Sequence, residues 1–430
     1  MSTDIRRRLA ELDAEILKHN TILCDLRQQR TDLRRELCAV ATYPVLTLPV
    51  EITAEIFMQC LPDIDDRDIY TSALKTNMPI LLMGVCQAWR DVALSTPMLW
   101  STLDIHLDRI PDTSAVSTID PEIIELFVVR WLSRAADCPL SLTLRRQIDQ
   151  DWNSSMLFPS RRLRAIIHQY APKIQQLALD MSEGAIRQLG PDSASFHILE
   201  RATLGYPDAP EYVGPQTADI FLTDAPRFHD LRIIFLKSIT NLCFPFHRLT
   251  KFEGEIVNLE LFSLAPNLTE LTCHFSLDAD TEFILTHPRL ESITLVHSLR
   301  GKRADDLFYY LTLPGLRSIN VSGVYHHAYA SLERFLERSS PRLITLSIRA
   351  ADSTLFEWMG CVYQCGNTIE NLELNVEWPS VDILSSIFTS FKFPKLRVLT
   401  LRNTPRNKNL LLLLLLRAFS TTRVSSTSST

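Results

Sequence analysis

Cys361 and Cys365 stand four residues apart, a spacing that places two thiols on one face of a helix. His326-His327 form a second pair of metal-ligand type. A structural zinc site takes four such donors, and no further partners at ligand spacing lie near either pair. The thiols therefore read as core residues and the histidines as a surface pair in a loop. Asp65-Asp66 and Asp305-Asp306 read as solvated charge in a loop or at a helix end. The chain contains no Gly-x-x-x-x-Gly-Lys phosphate loop, no Gly-x-Ser-x-Gly elbow and no His-Glu-x-x-His zinc helix. Its 11 glycines in 430 residues are too few for several phosphate-cradling loops. The expectation is a binding protein with no catalytic, cofactor-binding or metal-binding residues.

Bulk properties narrow the partners. A net charge of -6 argues against nucleic acid, which selects a basic face. Nine cysteines in no disulfide-like pattern imply reduced thiols and a cytoplasmic or nuclear chain. The charged start MSTDIRRRLA lacks the apolar run of a secretory leader. The longest apolar run, Leu410 to Leu416, is far short of the ~20 residues that cross a bilayer. It precedes a Ser/Thr-rich tail, Ser420 to Thr430, of disordered composition.

What positions any binding residues is a recurring phrase: an apolar anchor, two variable residues, an apolar residue, one variable, an apolar residue. The anchors stand at positions 174, 199, 228, 249, 268, 290, 316, 343, 369 and 396. The shortest interval runs from Leu249 to Leu268 and the longest from Leu199 to Phe228. A proline often stands two positions before the anchor, as in Pro266-Asn267-Leu268 and Pro341-Arg342-Leu343. Cys138-Pro139-Leu140, with Leu142 and Leu144, is an irregular first copy. Each phrase predicts a short strand with alternate residues inward. The segments Leu332 to Arg338, Thr354 to Tyr363 and Val381 to Phe391 look helical. A strand–helix unit of this length cannot bury its apolar face alone, so neighbours stack. Helices ~10 Å wide against strands ~4.8 Å apart would bend the stack, with parallel strands on the concave side and helices on the convex side. Exposed strand positions that could meet a ligand include Arg232, Glu270, Thr272, Thr294, Thr345, Ser347, Glu373 and Thr400.

Two helical segments precede the repeats. Ile5, Leu9, Leu12, Ile16, His19, Leu23, Leu26, Arg30, Leu33 and Leu37 are spaced alternately four and three apart, a heptad seam free of Gly and Pro. It reads as a coiled-coil helix that self-associates or meets a partner, or else packs back on its own chain. Tyr43-Pro44 ends it. After Leu48-Pro49, the residues Ile52, Ile56 and Phe57 form one apolar stripe. A second helix starts near Pro79 and carries Leu81, Leu82, Val85, Cys86, Trp89 and Ala93, followed by Pro97, Leu99 and Trp100. The acidic segment from Pro62 to Met78 loops out between them. Pro121 to Asp137 is an amphipathic linker that caps the first repeat.

The order LPxEI, helix, VCxxW, Pro-x-Leu-Trp resembles the F-box, and the phrases that follow resemble leucine-rich repeats. The resemblance implies an α/β chain in five parts. These are a coiled-coil helix (1–42), a small all-α F-box (43–107), a linker with capping helix (108–137), a curved repeat solenoid (138–404) and a terminal Leu run and tail (405–430). It further implies a substrate receptor that joins a Skp-type adaptor, and through it a cullin, in a ubiquitin ligase, with the repeats holding a target protein. By the same resemblance Leu48, Pro49, Glu51, Ile52, Ile56, Phe57, Val85, Cys86 and Trp89 carry the adaptor-binding role. The repeats depart from the family in one respect. Eight positions after the anchor, where Asn or Cys is usual, stand Ser298, Val324, Ala351, Glu377 and Thr404.

Overall fold

A computed structural model of the chain describes residues 2–40, 48–61, 78–107, 121–145, 161–181, 186, 195–205, 220–221, 224–234, 242–256, 259–275, 284–296, 306–322, 328–351, 360–377, 393–402 and 423–427. The Tyr43-Pro44 stop, the acidic segment before Met78, His326-His327, the Val381 to Phe391 segment and the Leu410 to Leu416 run lie outside them. The chain is mixed α/β and divides into two compact units. One holds residues 1–105 and 126–140, the other 106–125 and 141–430.

The first unit is mainly helical. Helix α1 (Ser2–Val40) runs without a break, as the absence of Gly and Pro allows, and every described apolar side chain on it is exposed. Helix α2 (Val50–Gln59) follows Pro49, which stands just ahead of the first turn rather than in it. The Pro49 carbonyl accepts both the N–H and the hydroxyl of Thr53, at 3.0 and 3.2 Å.

The single helix expected from Pro79 to Ala93 is two helices, α3 (Met78–Met83) and α4 (Gln87–Leu94). The break has a local cause. Gly84 closes the last turn of α3 by donating to the Ile80 and Leu81 carbonyls, and Cys86 is fully extended at φ -156. Arg90 Nε on α4 then donates to the Met83 carbonyl, satisfying one of the free acceptors at the end of α3. Of the alternating Leu103, Ile105 and Leu107, the first two lie on a strand, β1 (Thr102–His106), and Leu107 follows it.

The core of this unit is the indole of Trp100, fully buried, its Nε1 donating to the Ala93 carbonyl at 2.8 Å. Trp131 from helix α5 (Pro121–Arg134) meets it edge-on with centroids 4.7 Å apart, and Trp131 Nε1 donates to the Thr102 carbonyl. The Arg134 guanidinium lies 4.4 Å from the centre of the Trp100 ring, a cation–π contact. From Leu126 onward, therefore, α5 belongs to the helical unit and is part of its core.

The second unit is a parallel sheet whose strands match the phrases except for the last, which forms in the Ser/Thr-rich tail expected to be disordered and pairs with the strand before it. They are β2 (Leu140–Arg145), β3 (Ile174–Asp180), β4 (Arg201–Gly205), β6 (Asp230–Ile234), β8 (Lys251–Ile256), β9 (Glu270–Phe275), β11 (Ser292–Val296), β13 (Ser318–Ser322), β14 (Thr345–Ala351), β15 (Asn371–Glu377), β16 (Val398–Arg402) and β17 (Arg423–Thr427). They are adjacent in that order. The register aligns Leu177, Ala202, Leu231, Phe252, Leu271, Ile293, Ile319, Leu346, Leu372 and Leu399 in one row. These residues are all buried, as alternation along a strand requires when one face is covered.

Each proline before an anchor now has a physical role. At most anchors it occupies the second position of a turn in which the anchor N–H donates to the carbonyl three residues earlier, as in Phe228 to Ala225, Leu268 to Ala265, Leu316 to Leu313 and Leu396 to Phe393; at Pro341 the Leu343 N–H donates to the proline's own carbonyl instead. Proline presets the φ that this position needs.

The connections are not uniformly helical. The 12-residue helix Ala328–Ser339 covers the segment expected from Leu332 to Arg338, and a helical turn spans 360–365. Glu260–Leu264 and Asp306–Tyr310 are helices of only five residues. Elsewhere the connection contains two-residue strands: β5 (Ile220–Phe221) pairs with β7 (Leu242–Cys243), and β10 (Leu285–Thr286) with β12 (Leu311–Thr312). The anchors crowd most closely from Phe228 through Leu249 and Leu268 to Leu290. There the strand and its turn leave too little chain for a full helix. Arg338 closes the 12-residue helix onto its neighbour, donating to the Phe308 and Leu311 carbonyls, each at 2.6 Å.

Two glycines mark where successive repeats come closest. A Cβ on Gly315 would lie 2.2 Å from the Pro288 carbonyl oxygen, and one on Gly254 2.9 Å from that of Ile233 and 3.1 Å from the Phe252 ring. Both obstacles include neighbouring backbone, which cannot step aside. Gly315→Ala and Gly254→Ala are each expected to lower stability by about 1–3 kcal/mol, the usual cost of overpacking, read as a lower denaturant midpoint. Gly84→Ala, with its nearest contact at 3.2 Å, should lose less.

Candidate functional site

Two surfaces, one in each unit, carry the side chains expected to bind. On α2 the four-residue helical spacing sorts the expected set into two rows. Ile52 and Ile56 face outward, 50% and 42% exposed, together with Leu48, Pro49, Val50 and Glu51. Thr53 and Phe57 face inward. Phe57, 1% exposed, packs edge-on against Trp89 with centroids 5.0 Å apart. Cys86 is also buried, at the start of α4, whereas Val85 beside it is exposed.

Of the nine residues expected at an adaptor interface, Leu48, Pro49, Glu51, Ile52, Ile56 and Val85 are on the surface. Phe57 and Cys86 are core residues. Trp89 is half-buried against Phe57, with no acceptor for its indole N–H among the described residues. The sequence stripe Ile52, Ile56, Phe57 merges two rows that differ by one position in the turn. Sequence reading passes over Val50, Ile80 and Met98, which are also exposed; each is a large apolar side chain beside a residue already singled out.

The outward face of the sheet is polar and ordered by register. One row reads Arg201, Asp230, Lys251, Glu270 on adjacent strands, so opposite charges alternate. Lys251 Nζ lies 2.8 Å from Glu270, and in the next row Arg232 Nε lies 3.2 Å from Glu253. Beyond β9 the first row becomes hydroxyl and amide, with Ser292, Ser318, Thr345 and Asn371; the second runs from Thr272 through Thr294, Asn320 and Ser347 to the charged Glu373 and then Thr400. Asn371 Nδ2 donates to Thr345 Oγ1 at 3.3 Å. The expected positions Arg232, Glu270, Thr272, Thr294, Thr345, Ser347, Glu373 and Thr400 all fall on this face. Sequence reading misses Asp230, Lys251 and Glu253, although counting two or four positions on from each anchor aligns them.

Burial raises the pKa of the Asp230 carboxyl. The positive charges of Arg201, His229 and Lys251 offset this only in part, and Glu253 adds to the rise.

Cys361 and Cys365 are buried, and burial pushes their thiols up, Cys365 to about 11. They are neutral core groups at physiological pH. No helix among the described residues is long and apolar enough to cross a membrane. No protein-family model matches the chain, and no curated protein matches it.

A carboxyl whose folded pKa exceeds its unfolded value weakens the fold once ionised. Its cost is absent below the unfolded pKa and complete above the folded one. Asp230→Asn is therefore expected to raise the denaturation midpoint at pH 7. The gain should shrink as pH falls through the carboxylate range, measured as paired denaturant titrations of both proteins at pH 7 and pH 4.

Proposed function

We propose that the chain is the substrate-recognition subunit of a Skp–cullin–F-box ubiquitin ligase. In this reading the helical unit is an F-box that docks on a Skp-type adaptor and through it a cullin. The parallel strands form a leucine-rich-repeat arc whose polar rows hold a target protein. The observation that carries the reading is the exposure of Leu48, Pro49 and Ile52. A helical module serving only as an internal cap would bury an apolar edge of this kind, whereas a docking helix presents it. The order of LPxEI, VCxxW and Pro-x-Leu-Trp supports the same reading. The chain would act by bringing a target to an enzyme elsewhere in the complex and would perform no chemistry itself. Such a complex works in the cytoplasm or nucleus, in keeping with the unpatterned cysteines.

The proposal fixes which substitutions matter. Co-expressed with a Skp-type adaptor, the wild-type chain should co-purify with it. Ile52→Asp and Ile56→Asp should each weaken the complex at least tenfold while leaving the helical content and melting curve intact, since burying one such side chain is worth about 1.5–3 kcal/mol. Phe57→Ala should instead destabilise the module itself by about 3–5 kcal/mol, the cost of a buried aromatic cavity. A wild-type chain that fails to co-purify, or an Ile52→Asp variant that binds as well as wild type, removes the proposal.

A further inference from the structure

Helix α1 spans 39 residues, about 58 Å at 1.5 Å per residue. Leu12, Ile16, Leu23, Leu26, Leu33 and Leu37 along its seam are all exposed. The ion pairs Arg7–Glu11 and Arg35–Asp32 lie on the sides away from that seam. A stripe this long, apolar and flanked by satisfied charge needs a cover, and the question is which.

We propose that α1 pairs with α1 of a second copy of this chain, in an antiparallel two-helix coiled coil centred near Thr21. The polar interruptions of the seam decide the orientation, together with Ile22 beside it. In a parallel pair Arg30 would face Arg30 and His19 would face His19 across the seam, each forcing two polar groups together. In the antiparallel pair Arg30 faces Leu12 of the second copy and His19 faces Leu23. Ile16 faces Leu26, so polar seam residues never face each other, and only Leu23 meets a polar ring, that of His19. The Arg30 stem can lie along Leu12 while its guanidinium reaches the rim.

The residues flanking the seam agree. On one edge of the antiparallel pair Arg8 meets Glu36 of the second copy, twice by symmetry, and Glu15 meets Gln29. Ile22 is 44% exposed beside the seam and meets its own copy near the two-fold axis. A parallel pair would set it against Arg27 instead. On the other edge the sequence opposes Asp13 to Arg27 and Arg6 to Arg34, one attraction and one repulsion that cancel. The net charge term is thus the Arg8–Glu36 attraction, which a parallel pair would match with Arg8–Asp13, so the seam and Ile22 carry the choice and Arg8 provides the test.

The test uses the full chain, without adaptor, by light scattering coupled to size exclusion. A mass near twice 49.1 kDa is expected, and a monomer at tens of micromolar, or a trimer, overturns the proposal. Leu26→Glu should abolish the dimer while the rest of the chain melts as wild type; a dimer that survives it overturns the seam. Orientation is read by charge reversal. Arg8→Glu should weaken the dimer about five- to tenfold, the summed effect of two exposed pairs turned repulsive, and adding Glu36→Arg should restore it. A parallel pair would match Arg8 with Asp13, so failure of Glu36→Arg to rescue overturns the antiparallel assignment. None of these measurements involves the adaptor, so failure here leaves the ligase reading standing, and the converse holds as well.

Discussion

Everything in the second unit hangs on a backbone ladder at the strand entrances. The carbonyl just after each anchor accepts two N–H groups from the next repeat. Glu200 accepts from His229 and Asp230, His229 from Thr250 and Lys251, and Thr250 from Thr269 and Glu270. The series continues through Thr269, Glu291, Arg317, Ile344 and Glu370 to Val398. One acceptor holding two consecutive donors fixes register to the residue, and a slip of one would turn every buried leucine out to solvent. The ladder is local to the phrase, so it tolerates intervals as unequal as Leu199 to Phe228 and Leu249 to Leu268. What lies between can be a helix, a turn or a two-residue strand without disturbing the sheet.

A second ladder backs the first on the turn side. Arg248 donates to the Pro226 carbonyl, Asn267 to that of His247, and Arg289 reaches Asn267. Each side chain stands one before its anchor, and the two backbone acceptors stand two before the previous anchor. At Gly315 the same approach is so tight that no side chain fits. His287, from within the core, brings Nε2 to the Ala265 carbonyl. The amide side chains usual eight positions after the anchor are missing in this chain. In the described repeats, consecutive turns are tied by backbone and by basic or amide side chains placed before the anchor.

These interactions explain what is legible in the sequence and what is not. The anchors and the strands are legible because alternation with a buried face leaves a period-two trace in residue type. Pro266, Pro288 and Pro314 announce the turns for the same local reason. The split between α3 and α4 is hidden because Val85 and Cys86 continue the apolar pattern. Only the backbone distinguishes them, with Gly84 ending one helix and Cys86 extended before the next. The inward turn of Phe57 is hidden because neighbouring helical positions differ by about 100° of rotation, which a short apolar cluster does not resolve. The role of Trp131 is out of reach of periodicity, since its contact with Trp100 joins elements on either side of β1 that are distant in sequence.

The polar face of the sheet differs from strand to strand in how its charges are already satisfied. Glu253 and Glu270 already have a basic side chain within ion-pair distance, so a ligand cation reaching them must displace an existing partner and gains little. Asp230 differs, because its burial outweighs the positive charge that Arg201, His229 and Lys251 bring to it. A donor supplied by a target at that point would relieve a cost that the free protein bears. The row from Ser292 to Asn371 carries no charge and its hydroxyl and amide groups can accept or donate, whereas the neighbouring row ends its uncharged run at Glu373 on β15. If this face meets a target, as proposed, charge selectivity would rest on strands β4 to β9 and on Glu373 of β15.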